Sequence, residues 1–308
     1  MAVALDYTEF DKTAARLCCA SLAQEPMARH TTFQIGGPAD RLVTAENPAQ
    51  LGALLAAAKE AGLPVLLLGR GSDLLVGDRG IRGIVLRLAG DFQKITPLPD
   101  GVSLRAGAGV SLAALCAYAR ERELSGLEFA WGIPGSVGGA VYMNAGAYGG
   151  EMKDAVTLTK HLDSRFGPGE YQGEALDFSY RHSAYTGTDK IITFAQFRLA
   201  PGDREAIGAK MEALMARRKE KQPYDMPSAG SVFKRPATGY AAALIERCGL
   251  KGRRVGGAQV SERHAGFIIN TGGAACKDVL ALMELIQDTV RRETGVELEP
   301  EVRVIGEV

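Results

Sequence analysis

Two glycine-rich stretches carry the residue types best suited to holding a large anionic ligand. They are Leu68-Gly69-Arg70-Gly71-Ser72-Asp73-Leu74-Leu75 and Gly132-Ile133-Pro134-Gly135-Ser136-Val137-Gly138-Gly139-Ala140. Each combines side-chain-free backbone with a hydroxyl, so main-chain N–H groups can approach phosphate oxygens closely. One such loop is a weak signal. Two in one chain, each beside an apolar segment, point to a dinucleotide held between two loops of one domain. The second stretch runs on as Val141-Tyr142-Met143-Asn144-Ala145-Gly146-Ala147-Tyr148-Gly149, with apolar Ile133, Val137, Val141 and Met143 threaded among the glycines. Linkers are polar, so a packed, backbone-lined pocket is the better reading than a flexible surface loop. No G-x-x-x-x-G-K-[ST] occurs, which argues against a P-loop NTPase. Leu74 stands where a G-x-G-x-x-G fingerprint needs its third glycine, which argues against a Rossmann NAD domain.

Composition narrows the classes further. A chain of 308 residues has room for two or three domains with substantial cores. Lys plus Arg equals Asp plus Glu at 36 each, so no net basic charge favours nucleic acid. A local basic pocket for one small anion remains allowed, and the balanced charge is compatible with the monomer we expect. Apolar content is 46%, and no apolar run approaches a membrane span. Met1-Ala2-Val3-Ala4-Leu5-Asp6-Tyr7 lacks a basic region followed by an apolar core, so no secretory signal is expected. Cys18, Cys19, Cys116, Cys248 and Cys276 are scattered without C-x-x-C spacing, which fits reduced thiols in the cytoplasm. His30, His161, His182 and His264 never fall at ligand spacing, so no metal is expected.

The elements that must position these loops follow from local signals. Pro48 near the start, leucines at 51, 54 and 55, and Gly62 as a stop predict a helix over 48–62. A buried strand over 64–68 leads into the first glycine loop, with further strands at 84–88 and 102–105. Ser111 is the expected N-cap of a helix to about residue 123, with Leu112, Leu115 and Tyr118 or Ala119 on one face. Several short strands are expected between 156 and 199, the last over 190–199. After Pro201-Gly202-Asp203 a charged helix runs to about 221 with Ile207, Met211, Leu214 and Met215 as its apolar stripe. Helices are expected over 240–248 and 277–294, the latter with Val279, Met283, Ile286 and Val290 on its core face and Gly295 ending it. A final strand is expected over 296–305.

With the glycine stretches, further segments complete an ordered set: Thr31-Thr32-Phe33-Gln34-Ile35-Gly36-Gly37-Pro38-Ala39-Asp40, Phe178-Ser179-Tyr180-Arg181-His182-Ser183, Ser228-Ala229-Gly230-Ser231-Val232-Phe233-Lys234-Arg235-Pro236 and Leu298-Glu299-Pro300-Glu301-Val302-Arg303. In this order they resemble the UDP-N-acetylenolpyruvoylglucosamine reductase (UDP-N-acetylmuramate dehydrogenase) family of peptidoglycan precursor synthesis. The chain is short between Arg181 and Ser231, like the type II form. The resemblance implies an α+β protein. An FAD-binding domain of the p-cresol methylhydroxylase/vanillyl-alcohol oxidase type, in two subdomains, is followed by a smaller α/β substrate domain. The expected division is 1–29 as an N-terminal segment, 30–200 for FAD (split near 75–80), 201–297 for substrate, and 298–308 as a C-terminal strand.

The family's roles carry over by position. FAD, bound non-covalently, is expected against Leu68, Gly69, Arg70, Gly71, Ser72, Asp73 and Leu74, then Gly132, Pro134, Gly135, Ser136, Val137, Gly138 and Ala140, and finally Asn144, Ala145 and Gly146. Asp73 stands where the family usually has Asn; a carboxylate there repels a diphosphate unless it points away or is paired. NADPH is the implied co-substrate, and the implied reaction reduces an enolpyruvyl double bond on a UDP-sugar. Arg181 and Glu301 match the family's enolate-stabilising groups and Ser231 its proton donor. Tyr180, Lys234, His264 and Asn270 are expected at the substrate, although His264 equally suits a strand cap. Without the resemblance, Arg181 and Glu301 are ordinary surface charges and Ser231 a turn serine. An FAD-dependent alcohol oxidase or dehydrogenase of the same superfamily, and a non-catalytic nucleotide-binding module, are the alternatives.

Overall fold

Residues 5–163 and 167–308 are described by a computed structural model. Residues 1–4 of the stretch without a signal pattern, and 164–166 inside the expected run of strands, lie outside them. The chain forms two compact units. Met1–Leu22, Leu42–Arg70 and Ile84–Arg217 make one, while Ala23–Arg41, Gly71–Gly83 and Arg218–Val308 make the other. The fold is α+β, as expected.

In the first unit the proline-led helix runs Pro48–Glu60, with the Asn47 side chain accepting the Gln50 N–H at its start. Leu51, Leu54, Leu55 and Ala58 are buried at i, i+3, i+4 and i+7. Each fully buried leucine contributes on the order of 2 kcal/mol. Val65–Leu68 pairs in parallel with Ile81–Leu88. It was expected to be buried, yet Val65 is 38% exposed, because the strand is the last of its sheet and one edge has no neighbour among the described residues. Ser111 caps the helix Leu112–Glu121 by accepting the Ala114 N–H. A five-stranded antiparallel sheet has the order Pro168–Gln172, Val156–Leu162, Ile191–Arg198, Ser103–Gly107, Ile95–Pro97. Leu104, Leu112, Leu115, Tyr185 and Phe197 share its core. On the helix Arg204–Lys221, Ile207 and Met211 are buried, whereas Leu214 and Met215 are only half-buried.

The second unit packs its own core. The helix Cys276–Thr294 buries Val279, Leu282, Met283, Ile286 and Val290. Its first N–H groups, from Cys276 and Lys277, donate to the Asp78 carboxylate at 2.7 and 3.1 Å, and this negative charge also suits the helix dipole. A four-stranded antiparallel sheet has the order Ser228–Ser231, Phe267–Asn270, Ala258–Val260, Arg254–Val255. The last strand corrects the expectation: it covers only Arg303–Ile305, in parallel with Leu74–Val76. Pro300 has no N–H for a ladder and makes only an isolated bridge with Phe233, so Glu301 precedes the strand.

Candidate active site

In the first unit the start of the first glycine stretch, residues 68–70, meets the second stretch. A Cβ on Gly69 would lie 2.8 Å from Ser136 Oγ, so a side chain there would make the Ser136 hydroxyl shift. Ser136 in turn caps the short helix Val137–Tyr142 by accepting the Gly139 N–H at 3.3 Å. That helix was not anticipated, because a Val-Gly-Gly-Ala-Val-Tyr run has little helix propensity. Leu68, Val137 and Ala140 turn their side chains into the core, whereas Gly69, Arg70, Pro134 and Gly139 are exposed. Gly132 and Gly135 are half-exposed beside them. Ala145 and Gly146 lead into a hairpin in which Gly146 pairs with Glu151.

Arg181 sits in a tight turn of the same unit. Ser179 and His182 exchange backbone hydrogen bonds at 3.2 Å each, and Arg181 has φ 56°. A long side chain in left-handed backbone is uncommon and costs on the order of 1–2 kcal/mol. The guanidinium carbon lies 4.9 Å from the centroid of the Tyr180 ring, itself 49% exposed. Asn144, 1% exposed, donates to Ser179 O and to Glu151 Oε2, both at 2.9 Å. Its own carbonyl accepts the Lys153 N–H at 2.9 Å.

Ser231 and Glu301 come together in the second unit. The strand Ser228–Ser231 shifts register before Ser231, which pairs with Phe267. The next residue, Val232, accepts the Glu301 N–H at 2.7 Å. Two residues beyond Glu301, the Arg303 N–H donates to Asp73 O at 3.0 Å, tying this segment to the end of the first glycine loop. Gly71 accepts the Thr32 N–H at 3.1 Å, and Thr32 Oγ1 donates to Ser228 O at 2.7 Å. Ser72 and Leu74, half-buried, flank Asp73 in this arrangement.

The expected substrate residues divide by what already holds them. Lys234 is ion-paired with Glu299. His264 Nδ1 accepts the Gly266 N–H at 3.2 Å, just before the strand Phe267–Asn270, and the ring meets Phe267 edge-on. Burial is the first cause pushing the His264 pKa below its usual value, so the ring is neutral at pH 7. Asn270 is buried and engaged on both sides of its amide. It donates to Phe33 O and Gln34 O and accepts from the Gly272 and Ala274 N–H groups.

Two family models match the chain: "FAD binding domain" over residues 39–164, and "UDP-N-acetylenolpyruvoylglucosamine reductase, C-terminal domain" over 222–305. A UDP-N-acetylenolpyruvoylglucosamine reductase of Caldanaerobacter subterraneus subsp. tengcongensis is 48% identical over 283 residues, 92% of this chain and 93% of that one. The chain belongs to the UDP-N-acetylenolpyruvoylglucosamine reductase family. The reductase of Agathobacter rectalis is likewise 48% identical, over 93% of this chain and 94% of its own. A crystal structure of the reductase from Thermus caldophilus superposes with a TM-score of 0.80 at 36% identity, covering 94% of this chain and 99% of that chain.

The residues present suit FAD, the cofactor of this reductase family. Exposed, side-chain-free backbone at Gly69 and Gly139 flanks the Ser136 hydroxyl, and Arg70 beside Gly69 is exposed, an arrangement that suits a diphosphate. Within the two glycine stretches the most demanding position is Gly71. It is buried with φ +62°, and a Cβ there would run into His30 O and lie 2.9 Å from Thr31 Cα. Gly71→Ala is expected to cost about 2–5 kcal/mol, from backbone strain plus overpacking, and to release FAD. Thermal unfolding and flavin fluorescence read both effects. Gly52→Ala, at a helical glycine with nothing within 4 Å, is the control that leaves stability unchanged or slightly higher.

Sequence reasoning missed Glu151 and Lys153. Neither lies in a recognisable motif of its own, and only the fold carries them to Asn144. Asp78 was missed for the same reason.

Proposed function

We propose that the chain reduces the enolpyruvyl double bond of UDP-N-acetylglucosamine-enolpyruvate, yielding UDP-N-acetylmuramate for peptidoglycan precursors and thereby serving cell shape and division. The observation that carries this reading is the joint match of an FAD-binding segment and the reductase C-terminal domain, the second of which contains Ser231 and Glu301. Bound FAD, held by the glycine stretches around Gly69 and Ser136, would supply the hydride chemistry that links NADPH to the terminal vinyl carbon. Negative charge then develops over the substrate carboxylate and its neighbouring carbon. Arg181, always protonated, grips that carboxylate and stabilises the charge where it forms. Ser231 gives the proton to the carbon bearing the ether oxygen, which demands close positioning because a hydroxyl is a poor acid. Glu301 assists at the enolate or orients its neighbours. Tyr180, Lys234 and His264 contact the UDP-sugar, with Lys234 exchanging Glu299 for phosphate, while Asn270 supports them from the core.

No helix among the described residues is long and apolar enough to cross a membrane. The five cysteines are free, which agrees with a cytoplasmic location. Purified protein should be yellow. After anaerobic reduction by NADPH, the enolpyruvyl UDP-sugar should restore the oxidised flavin spectrum. A flavin that stays reduced with this substrate but is itself reduced by an alcohol belongs to an alcohol oxidase, and that result overturns the proposal.

A further inference from the structure

We propose that Asn144 is a positioning residue for Arg181, holding the arginine's turn against the second glycine stretch so that cofactor loop and guanidinium move as one piece. The inference rests on the reductase reading above and adds to it a residue that acts through another.

The turn needs an external hold. Left-handed backbone at Arg181 is maintained only where the surroundings over-determine it. Two ties bracket the turn. On one side, Asn144 Nδ2 donates to Ser179 O, the same carbonyl that closes the turn with the His182 N–H. On the other, Ser183 Oγ donates to Tyr142 O at 2.8 Å. Both partners lie at the end of the helix Val137–Tyr142 that Ser136 caps.

Asn144 is suited to this work and to little else. It is buried and itself left-handed (φ 41°), a conformation that Asn tolerates better than most residues. Its amide donates to Ser179 O and Glu151 Oε2, and its carbonyl accepts from Lys153 N–H, so the side chain has no donor left for a cofactor. Any side-chain contact of Asn144 with a cofactor is therefore through its amide oxygen, which has one lone pair left. Glu151 anchors the far side and pairs with Lys153 Nζ at 3.0 Å. The Lys153 hydrogen bond is the first cause holding the Glu151 carboxyl below its usual pKa. The Asn144 bond and the positive charges of Lys153 and Arg181 act in the same direction. Glu151 is thus ionised at neutral pH, and it gives the Arg181 guanidinium a fixed negative charge in its surroundings.

The test separates positioning from general damage. Asn144→Gly keeps the left-handed backbone and removes all three bonds. In the FAD-loaded full chain, rapid mixing should show re-oxidation of the reduced flavin by saturating enolpyruvyl UDP-sugar slowed about 10- to 50-fold. Reduction by NADPH, in which no enolate charge forms for Arg181 to stabilise, should slow no more than about threefold. In an Arg181→Ala background Asn144→Gly should add less than about threefold, because a residue acting through Arg181 has nothing left to position. Asn144→Asp is nearly isosteric and tolerates the backbone, but it loses both donors and sets a carboxylate against Glu151. It should show the same split. Equal slowing of both half-reactions, effects that multiply with Arg181→Ala, an Asn144→Asp variant that behaves like wild type, or loss of FAD from both Asn144 variants would each overturn the inference. A wild-type flavin that the enolpyruvyl sugar cannot re-oxidise would instead sink the functional reading, and this inference with it.

Discussion

Ser231→Ala should leave a yellow enzyme that NADPH still reduces but that turns over about 10²- to 10⁴-fold more slowly, the range for losing a positioned proton donor. The substitution removes one oxygen at the end of the strand Ser228–Ser231 and none of the backbone bonds that hold it, so the fold should tolerate it. The slowed step is the one that puts a proton on carbon. Solvent deuterium should therefore slow it further if water now supplies the proton. Anaerobic stopped-flow at 450 nm separates the two half-reactions. If NADPH reduction collapsed as much as re-oxidation, Ser231 would be acting on the cofactor, and its assignment as donor would be wrong.

The second large effect is expected at Arg181. Arg181→Lys preserves charge but replaces a planar fork with a point charge on a flexible stem, losing bidentate contact with a carboxylate. Removing one such donor from developing charge costs about 10²- to 10³-fold. The loss should fall mainly on kcat, because the arginine is worth more once enolate charge adds to the carboxylate than when the carboxylate alone binds. An Arg181→Lys variant with normal kcat and only a raised KM for the UDP-sugar would place Arg181 in ground-state binding alone.

Much of the fold was legible because its causes are local. Pro48 at a helix start, Ser111 as an N-cap and Gly295 as a stop each act within one turn of the helices they bound. The stripe Val279, Met283, Ile286 and Val290 marked the buried face of its helix before any partner was known. Where local signals misled, a long-range condition had intervened. Val65–Leu68 read as buried, but its exposure depends on its place at the end of a sheet. The last strand read as ten residues, but the ladder depends on pairing with Leu74–Val76, which begins only at Arg303.

From sequence alone came the two glycine loops, their hydroxyls, the ordered motifs and hence the family, because residue type and order along one chain are all that those inferences need. The tertiary structure alone decided that Gly69 lies against the Ser136 hydroxyl. It decided likewise that Glu301 is tied to Val232 beside Ser231, that Asp78 caps a helix far along the chain, and that Asn144 carries the Arg181 turn. The physical reason is common to all four. Contacts and hydrogen bonds between remote segments leave no periodicity or spacing behind them, since any polar or small residue can occupy such a position until the fold presents its partner.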